Sequence, residues 1–365
     1  MGKRNGKIEL LRFVFSLIIM VYHFNNRFWE GGYLFNDHIS LFCAGYIGVE
    51  FFFVLSGLLM GMSIDRKRSL EPCDGQNDSD LGEETLSFLW RKVKGILPYH
   101  LLYIFMMFCQ RLISVPGKIG SVLLDHLLPD LFFLGRTGLM KETINNEWYL
   151  TTLFFAILLL YPLGRKFGKN FNLLCTPVIA IITLGYIMHS GETLCRSREW
   201  IGWIYMANLR AIGELSLGLL SYEGYKKLKH RDYTTSQRVL LTILELGGYL
   251  IAFVFSCTVD LDKYGYYALL AMCISVPITF SQKAFLGDSR LFQNKLCVFL
   301  GKLSIPIFLL QGTIANAVQP LFHVRTRYLF LIDFVSVILI SALVYLLWER
   351  VQRRWTVRKG KAHAA

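Results

Sequence analysis

Residues 12–23 read RFVFSLIIMVYH, an apolar run with a guanidinium at one end and an imidazole at the other. In a helix Arg12 and His23, eleven residues apart, differ by about 20° around the axis and by about 16 Å along it. They therefore share one face, three turns apart. An ionised group near mid-bilayer costs a few kcal/mol. If this segment crosses a membrane, the stripe is expected to face the protein interior, with Arg12 in one half of the bilayer and His23 near the other side.

The surrounding chain says that it does cross. Of 365 residues 54% are hydrophobic and only 18% charged, and the apolar residues come in blocks of about twenty, the length that spans about 30 Å of hydrocarbon as a helix. The expected fold is an all-α polytopic transmembrane helix bundle. About ten spans fall at 8–25, 43–63, 95–115, 147–163, 171–189, 203–222, 239–257, 266–281, 297–318 and 328–348. The short alternating segments of a membrane β-barrel are not seen. The stretch 121–135 is apolar but holds Asp125, His126, Pro129 and Asp130, and is expected to lie in the interface or fold back.

The net charge of +13 does not point to nucleic acid, because the basic residues sit in short clusters between apolar blocks. With the N-terminus cytoplasmic, about two thirds of the 39 Lys and Arg residues fall on the inside, the bias that fixes membrane orientation. Both termini are then cytoplasmic. Residues 1–348 form one membrane domain with a polar cytoplasmic loop at 64–90, and 349–365 form a basic tail. The start, MGKRNGK and then an apolar run, has the look of a signal peptide, but Tyr22-His23-Phe24 offers no small-x-small cleavage site. It is read as an uncleaved first span. The eight cysteines are scattered without a CxxC or zinc spacing and read as small hydrophobes; no metal site is expected.

Arg12, Glu50, Arg210, Glu214 and Glu245 are the charges within spans that call for an explanation. By depth, Glu50 of the second span falls between Arg12 and His23, and Ser56 falls near the level of Arg12. Either the first two spans line a polar track, or Arg12 and Glu50 form a structural ion pair. Arg210 and Glu214 are four apart on one helix, which suits mutual pairing or the lining of the same cavity.

These residues resemble the acyltransferase-3 family of integral-membrane acyltransferases. The resemblance rests on Arg12 and His23 with ten residues between them, GVEFFFVLSGLLMG (48–61), the basic start of RKVKGILPYHLLY (91–103), EWYLTTLFFAILLLYP (147–162) and LGKLSIPIFLLQ (300–311), in family order along most of the chain. Two positions depart from the pattern. Gly95 stands where many members have a further basic residue, and Gln311 where many have His.

The resemblance implies transfer of an acyl group, commonly acetyl, from cytoplasmic acyl-CoA to a hydroxyl of a sugar or cell-surface glycan. Acyl-CoA is a co-substrate, and no bound cofactor is expected. His23 would be the general base, His being the side chain whose unperturbed pKa, about 6.5, lies nearest neutrality. Arg12 would orient the donor arm or stabilise an oxyanion, and Glu50 would complete the catalytic set. Arg91, Lys92 and Lys94, with Ser56, would hold the donor, Arg being suited to bidentate phosphate contacts. Glu147, Trp148, Tyr149, Arg210 and Glu214 would meet the acceptor. The expected partners are membrane lipid, acyl-CoA and the glycan, and the location a bacterial inner or plasma membrane. No soluble extension is expected. The competing reading is a transporter or translocase of a glycan or lipid-linked intermediate, although paired broken helices in related halves are not seen.

Overall fold

The computed structural model describes residues 4–28, 41–70, 78–115, 117–135, 137–138, 148–191, 193–194, 199–258, 263–287, 289–322 and 326–362. Among them ten long helices run in the expected order: α1 Gly6–Phe28, α2 Ile47–Leu70, α3 Asp78–Ser114, α4 Trp148–Phe167, α5 Thr176–Gly191, α6 Met206–Lys229, α7 Thr235–Cys257, α8 Gly265–Ser281, α9 Lys295–Val318 and α10 Thr326–Ala362. Eight are long and apolar enough to cross a membrane. Of the other two, α8 is apolar but has only 17 residues. The 24-residue α6 carries Arg210, Glu214 and Glu223. Prolines 98, 162, 277 and 306 lie inside helices, as membrane bundles tolerate where neighbours re-satisfy the backbone.

Several helices run past the bounds expected from the sequence, α10 as far as Ala362 through the basic tail. The polar stretch 64–90 is largely helix: α2 continues to Leu70 and α3 begins at Asp78, with 71–77 outside the described residues. These polar extensions have partners. Asp65 accepts from Tyr222 Oη at 2.9 Å and Lys226 Nζ at 2.8 Å, and Arg68 Nη1 donates to the carbonyl of Arg165 at 2.6 Å. The sixth span starts at Met206 rather than 203, because a two-strand hairpin (β1 Trp200–Ile201, β2 Ile204–Tyr205) precedes it, turning at Gly202 with φ +59°. The segment 119–131 is a broken helix, with a π-type turn at Leu123–Leu127 and Pro129 and Asp130 buried.

The least apolar helix is the hub. α6 packs on α2, α4, α5 and α8, while α1, α3, α9 and α10 form a second group joined through α9. Lipid gives no hydrophobic reason for two membrane helices to associate, so close backbone approach carries the contact. A Cβ on Gly57 of α2 would run into the Leu215 carbonyl oxygen and lie 2.7 Å from the Gly218 Cα of α6. Gly61, one turn on, meets the Tyr222 ring of α6 in the same way.

Replacing Gly57 by Val is therefore expected to separate α2 from α6 and cost about 1–3 kcal/mol or more. The thermal midpoint of detergent-purified protein checks this, with a lower value expected than for Leu59→Val on a more exposed face of α2.

Candidate active site

Five helices (α1, α2, α3, α4 and α9) enclose a cavity of about 330 Å³ at the seam between the two groups. Its wall is mixed. Arg12 of α1 and Arg91, Lys92 and Gly95 of α3 contribute to it. Ser56 of α2, Tyr149 of α4 and Ser304 of α9 supply hydroxyls, and the rest is apolar, including Phe52, Leu153, Phe154 and Phe308. All the charged side chains on this wall are cations.

Arg12 is fixed from outside the cavity. Its Nη1 donates to Glu9 Oε2 at 3.2 Å, one turn back on α1, and Arg4 reaches the other oxygen of Glu9 at 3.5 Å. Gly301 of α9 makes room for that carboxylate, since a Cβ there would strike Glu9 Oε2. The anticipated alternative, an Arg12–Glu50 ion pair, is not formed.

The cations of α3 contrast with others in the bundle. Lys7 pairs with Glu245 at 2.8 Å, Arg165 with Glu84 at 3.0 Å, Lys226 with Asp65 at 2.8 Å, and Lys302 with Glu349 at 3.5 Å. The first of these accounts for Glu245, one of the charges within spans. Among the described residues Arg91, Lys92 and Lys94 have no carboxylate partner. Arg91 and Lys92 lie over the Phe88 ring, at 5.9 and 5.1 Å, and Lys94 lies over Trp90 at 5.4 Å. Arg91 and Lys92 also reach the cavity wall, whereas Lys94 does not.

Glu50, Arg210 and Glu214 are brought together, but away from the cavity wall. Arg210 Nε donates to Glu214 Oε1 within α6, and Arg210 Nη2 is 3.5 Å from Glu50 Oε1 of α2. All three side chains are within 1% of complete burial. The rings of Tyr46 and Trp148 lie 5.5 and 5.8 Å from the guanidinium carbon. Trp148 thus adjoins Arg210, while Glu147 lies outside the described residues. Tyr149, expected beside Trp148 near the membrane surface, is instead buried, lines the cavity and meets Ser56 Oγ at 3.4 Å.

His23 is half-buried, with its ring centroid 5.3 Å from that of Tyr22, and is not itself on the cavity wall. Ile19 is. Seven residues beyond Arg12 and four before His23, Ile19 lies on the same helical stripe, one turn short of the imidazole. Val14, off that stripe, is exposed. The Arg12–His23 face is thus turned inward along the cavity.

The acyltransferase domain model of the acyltransferase-3 family matches residues 5–346. The chain belongs to the acyltransferase-3 family. No curated protein and no solved structure matches it. The protein is thus a membrane acyltransferase with many spans. Among the described residues no cluster of His, Cys, Asp or Glu is arranged to hold a metal ion. Sequence reasoning missed Glu9, which holds Arg12, and Ser304 and Phe308 on the wall, although both lie in the quoted segment 300–311. It also noted Gly95 only as a missing cation, whereas a Cβ there would meet open space.

The Glu50–Arg210–Glu214 cluster yields a stability prediction. Arg210→Met leaves two carboxylates buried without their cation and is expected to cost about 3–5 kcal/mol. Glu214→Gln, which keeps the Arg210–Glu50 contact, is expected to cost less. Thermal unfolding in detergent, read beside the yield of folded protein, checks the order.

Proposed function

We propose that this acyltransferase moves a short acyl group, acetyl first among candidates, from cytoplasmic acyl-CoA to a hydroxyl of a sugar or cell-surface glycan, with His23 as general base. The observation that carries the reading is the pair Arg91 and Lys92, without a carboxylate partner among the described residues, on the wall of a cavity also lined by Ile19, one turn from His23. A polyanionic donor with a long thin arm suits that layout. Its phosphates would rest on the α3 cations, Arg91 by bidentate contacts and Lys92 as a point charge. A cavity of about 330 Å³ is at the small end of ligand sites, which suits the pantetheine arm and leaves the nucleotide outside.

The thioester would pass Arg12, whose guanidinium is held in place by Glu9, and approach the hydroxyl-bearing middle of the cavity. The acceptor would come from the His23 side. Its hydroxyl oxygen attacks the carbonyl carbon as the imidazole takes the proton; the C–S bond then breaks, and the imidazolium returns a proton to the CoA thiolate. Direct transfer needs no acyl-enzyme intermediate. Trp148, beside the buried Arg210 cluster, offers the acceptor sugar an aromatic face, and Glu50, Arg210 and Glu214 support that wall. The protein would act in a bacterial inner membrane or plasma membrane.

Transfer of radiolabel from acetyl-CoA into the glycan fraction of membranes carrying the protein tests the reading. His23→Ala is expected to lower transfer about 100-fold or more, and full activity in that variant would remove the base. The Arg91→Ala/Lys92→Ala double variant is expected to raise the acetyl-CoA KM about tenfold or more with kcat nearly kept, as loss of ground-state binding does. That loss should be mimicked in the wild type by raised salt.

A further inference from the structure

Tyr149 and Ser56 face each other inside the cavity, and their hydroxyls are poorly matched to each other. The Oη–Oγ distance is 3.4 Å, whereas O–H···O bonds between hydroxyls lie at about 2.5–3.0 Å. Among the described residues neither side chain has another hydrogen-bond partner. A buried hydroxyl without a good partner costs free energy, so the buried Tyr149 phenol, beside the half-buried Ser56, has a place for a further oxygen.

The phenol is also held unusually firmly. The ring centroids of Phe53, Phe308 and Phe52 lie 4.6, 5.7 and 6.4 Å from that of Tyr149, and Tyr149 itself is 9% exposed. Rings from α2 and α9 therefore fix a side chain that α4 delivers. The other hydroxyl on the wall, Ser304, donates its proton to the Gly301 carbonyl at 2.8 Å and is committed to its own helix. Arg12, also on the wall, is already paired with Glu9.

Resting on the acyl-transfer reading above, we propose that Tyr149 is a further catalytic residue. Its O–H, with Ser56 beside it, donates to the carbonyl oxygen of the acyl thioester and holds the oxyanion that forms when the acceptor attacks. No proton is transferred by Tyr149. The carbonyl π pair moves onto oxygen as the new C–O bond forms, and returns as the C–S bond breaks. The Tyr149 hydrogen bond is made throughout and is strongest while the oxygen is charged. A preorganised donor in a dry site is the kind of group that acts this way, because it needs no reorganisation when charge develops.

The role differs from acceptor binding in what it predicts. In native membranes supplied with labelled acetyl-CoA, Tyr149→Phe is expected to lower kcat about 100-fold, the loss typical of removing one oxyanion donor, with the acetyl-CoA KM within about threefold of wild type. Ser56→Ala, which leaves the phenol in place, is expected to lose about tenfold or less on the same scale. Binding of desulfo-CoA by the purified Tyr149→Phe protein, and its thermal midpoint, should match wild type, which separates lost chemistry from lost folding. Transfer by Tyr149→Phe within about threefold of wild type overturns the proposal, as does a change confined to KM. Loss of desulfo-CoA binding in Tyr149→Phe also overturns it, assigning the residue to the framework. If His23→Ala abolishes transfer while Tyr149→Phe does not, the acyltransferase reading stands and only the oxyanion role falls.

Discussion

Arg210 lies between two carboxylates with about 1% of its side chain exposed, in a bundle whose outer surroundings cannot solvate a charge. Hydrocarbon has no dipoles to offer, so a guanidinium there must be neutralised by the protein or not be present. Satisfying that requirement ties α6 to α2, and much of the architecture follows. The helix with the poorest apolar credentials becomes the hub, because its charges are tolerable only at the centre. The approach of Gly57 to Gly218 then brings the two backbones together below the ion pair.

The same constraint gives α2 two distinct faces. Glu50, Gly57 and Gly61 look toward α6 and its neighbours, at spacings of seven and four that return to one side of a helix. Val49, Phe52, Ser56 and Leu59 look into the cavity, at spacings of three, four and three. The segment 48–61 is thus a partition, with an ion pair and small residues on one side and the reaction space on the other. Shifting α2 by a single residue would turn Ser56 out of the cavity and bring an apolar side chain against Arg210.

This explains what was legible in the sequence. The all-α bundle and the order of its helices were readable because a bilayer demands about twenty apolar residues each time, and the turn of the helix places Arg12 and His23 on one stripe without any tertiary information. Partner choice was not readable. Arg12 had Glu50 as a plausible partner at a suitable depth, yet the carboxylate that holds it is Glu9, one turn away on the same helix, while Glu50 is taken by Arg210 from a helix about 160 residues later in the chain. Depth fixes one coordinate; azimuth depends on which helices are neighbours, and that depends on packing. Tyr149 illustrates the same gap. A tyrosine at the start of a span suits a membrane-surface belt, and only the placement of α2 and α9 around α4 sends its ring inward. The polar stretch 64–90 differs for another reason: its charge says nothing against helix, and α2 and α3 continue into it.

The contrast among cations carries the argument from fold to chemistry. A protein that spends carboxylates on Lys7, Arg12, Arg165, Arg210, Lys226 and Lys302 leaves Arg91 and Lys92 on aromatic faces, which weakly hold a cation without neutralising it. Their charge therefore remains without a carboxylate on the cavity wall. A carboxylate there would compete with a phosphate, and an apolar residue would not attract one. Arg12 differs: it is oriented by Glu9, a carboxylate that it shares with Arg4. The cavity wall thus divides its cations: Arg12 is tied to a carboxylate on its own helix, whereas Arg91 and Lys92 of α3 rest on an aromatic face.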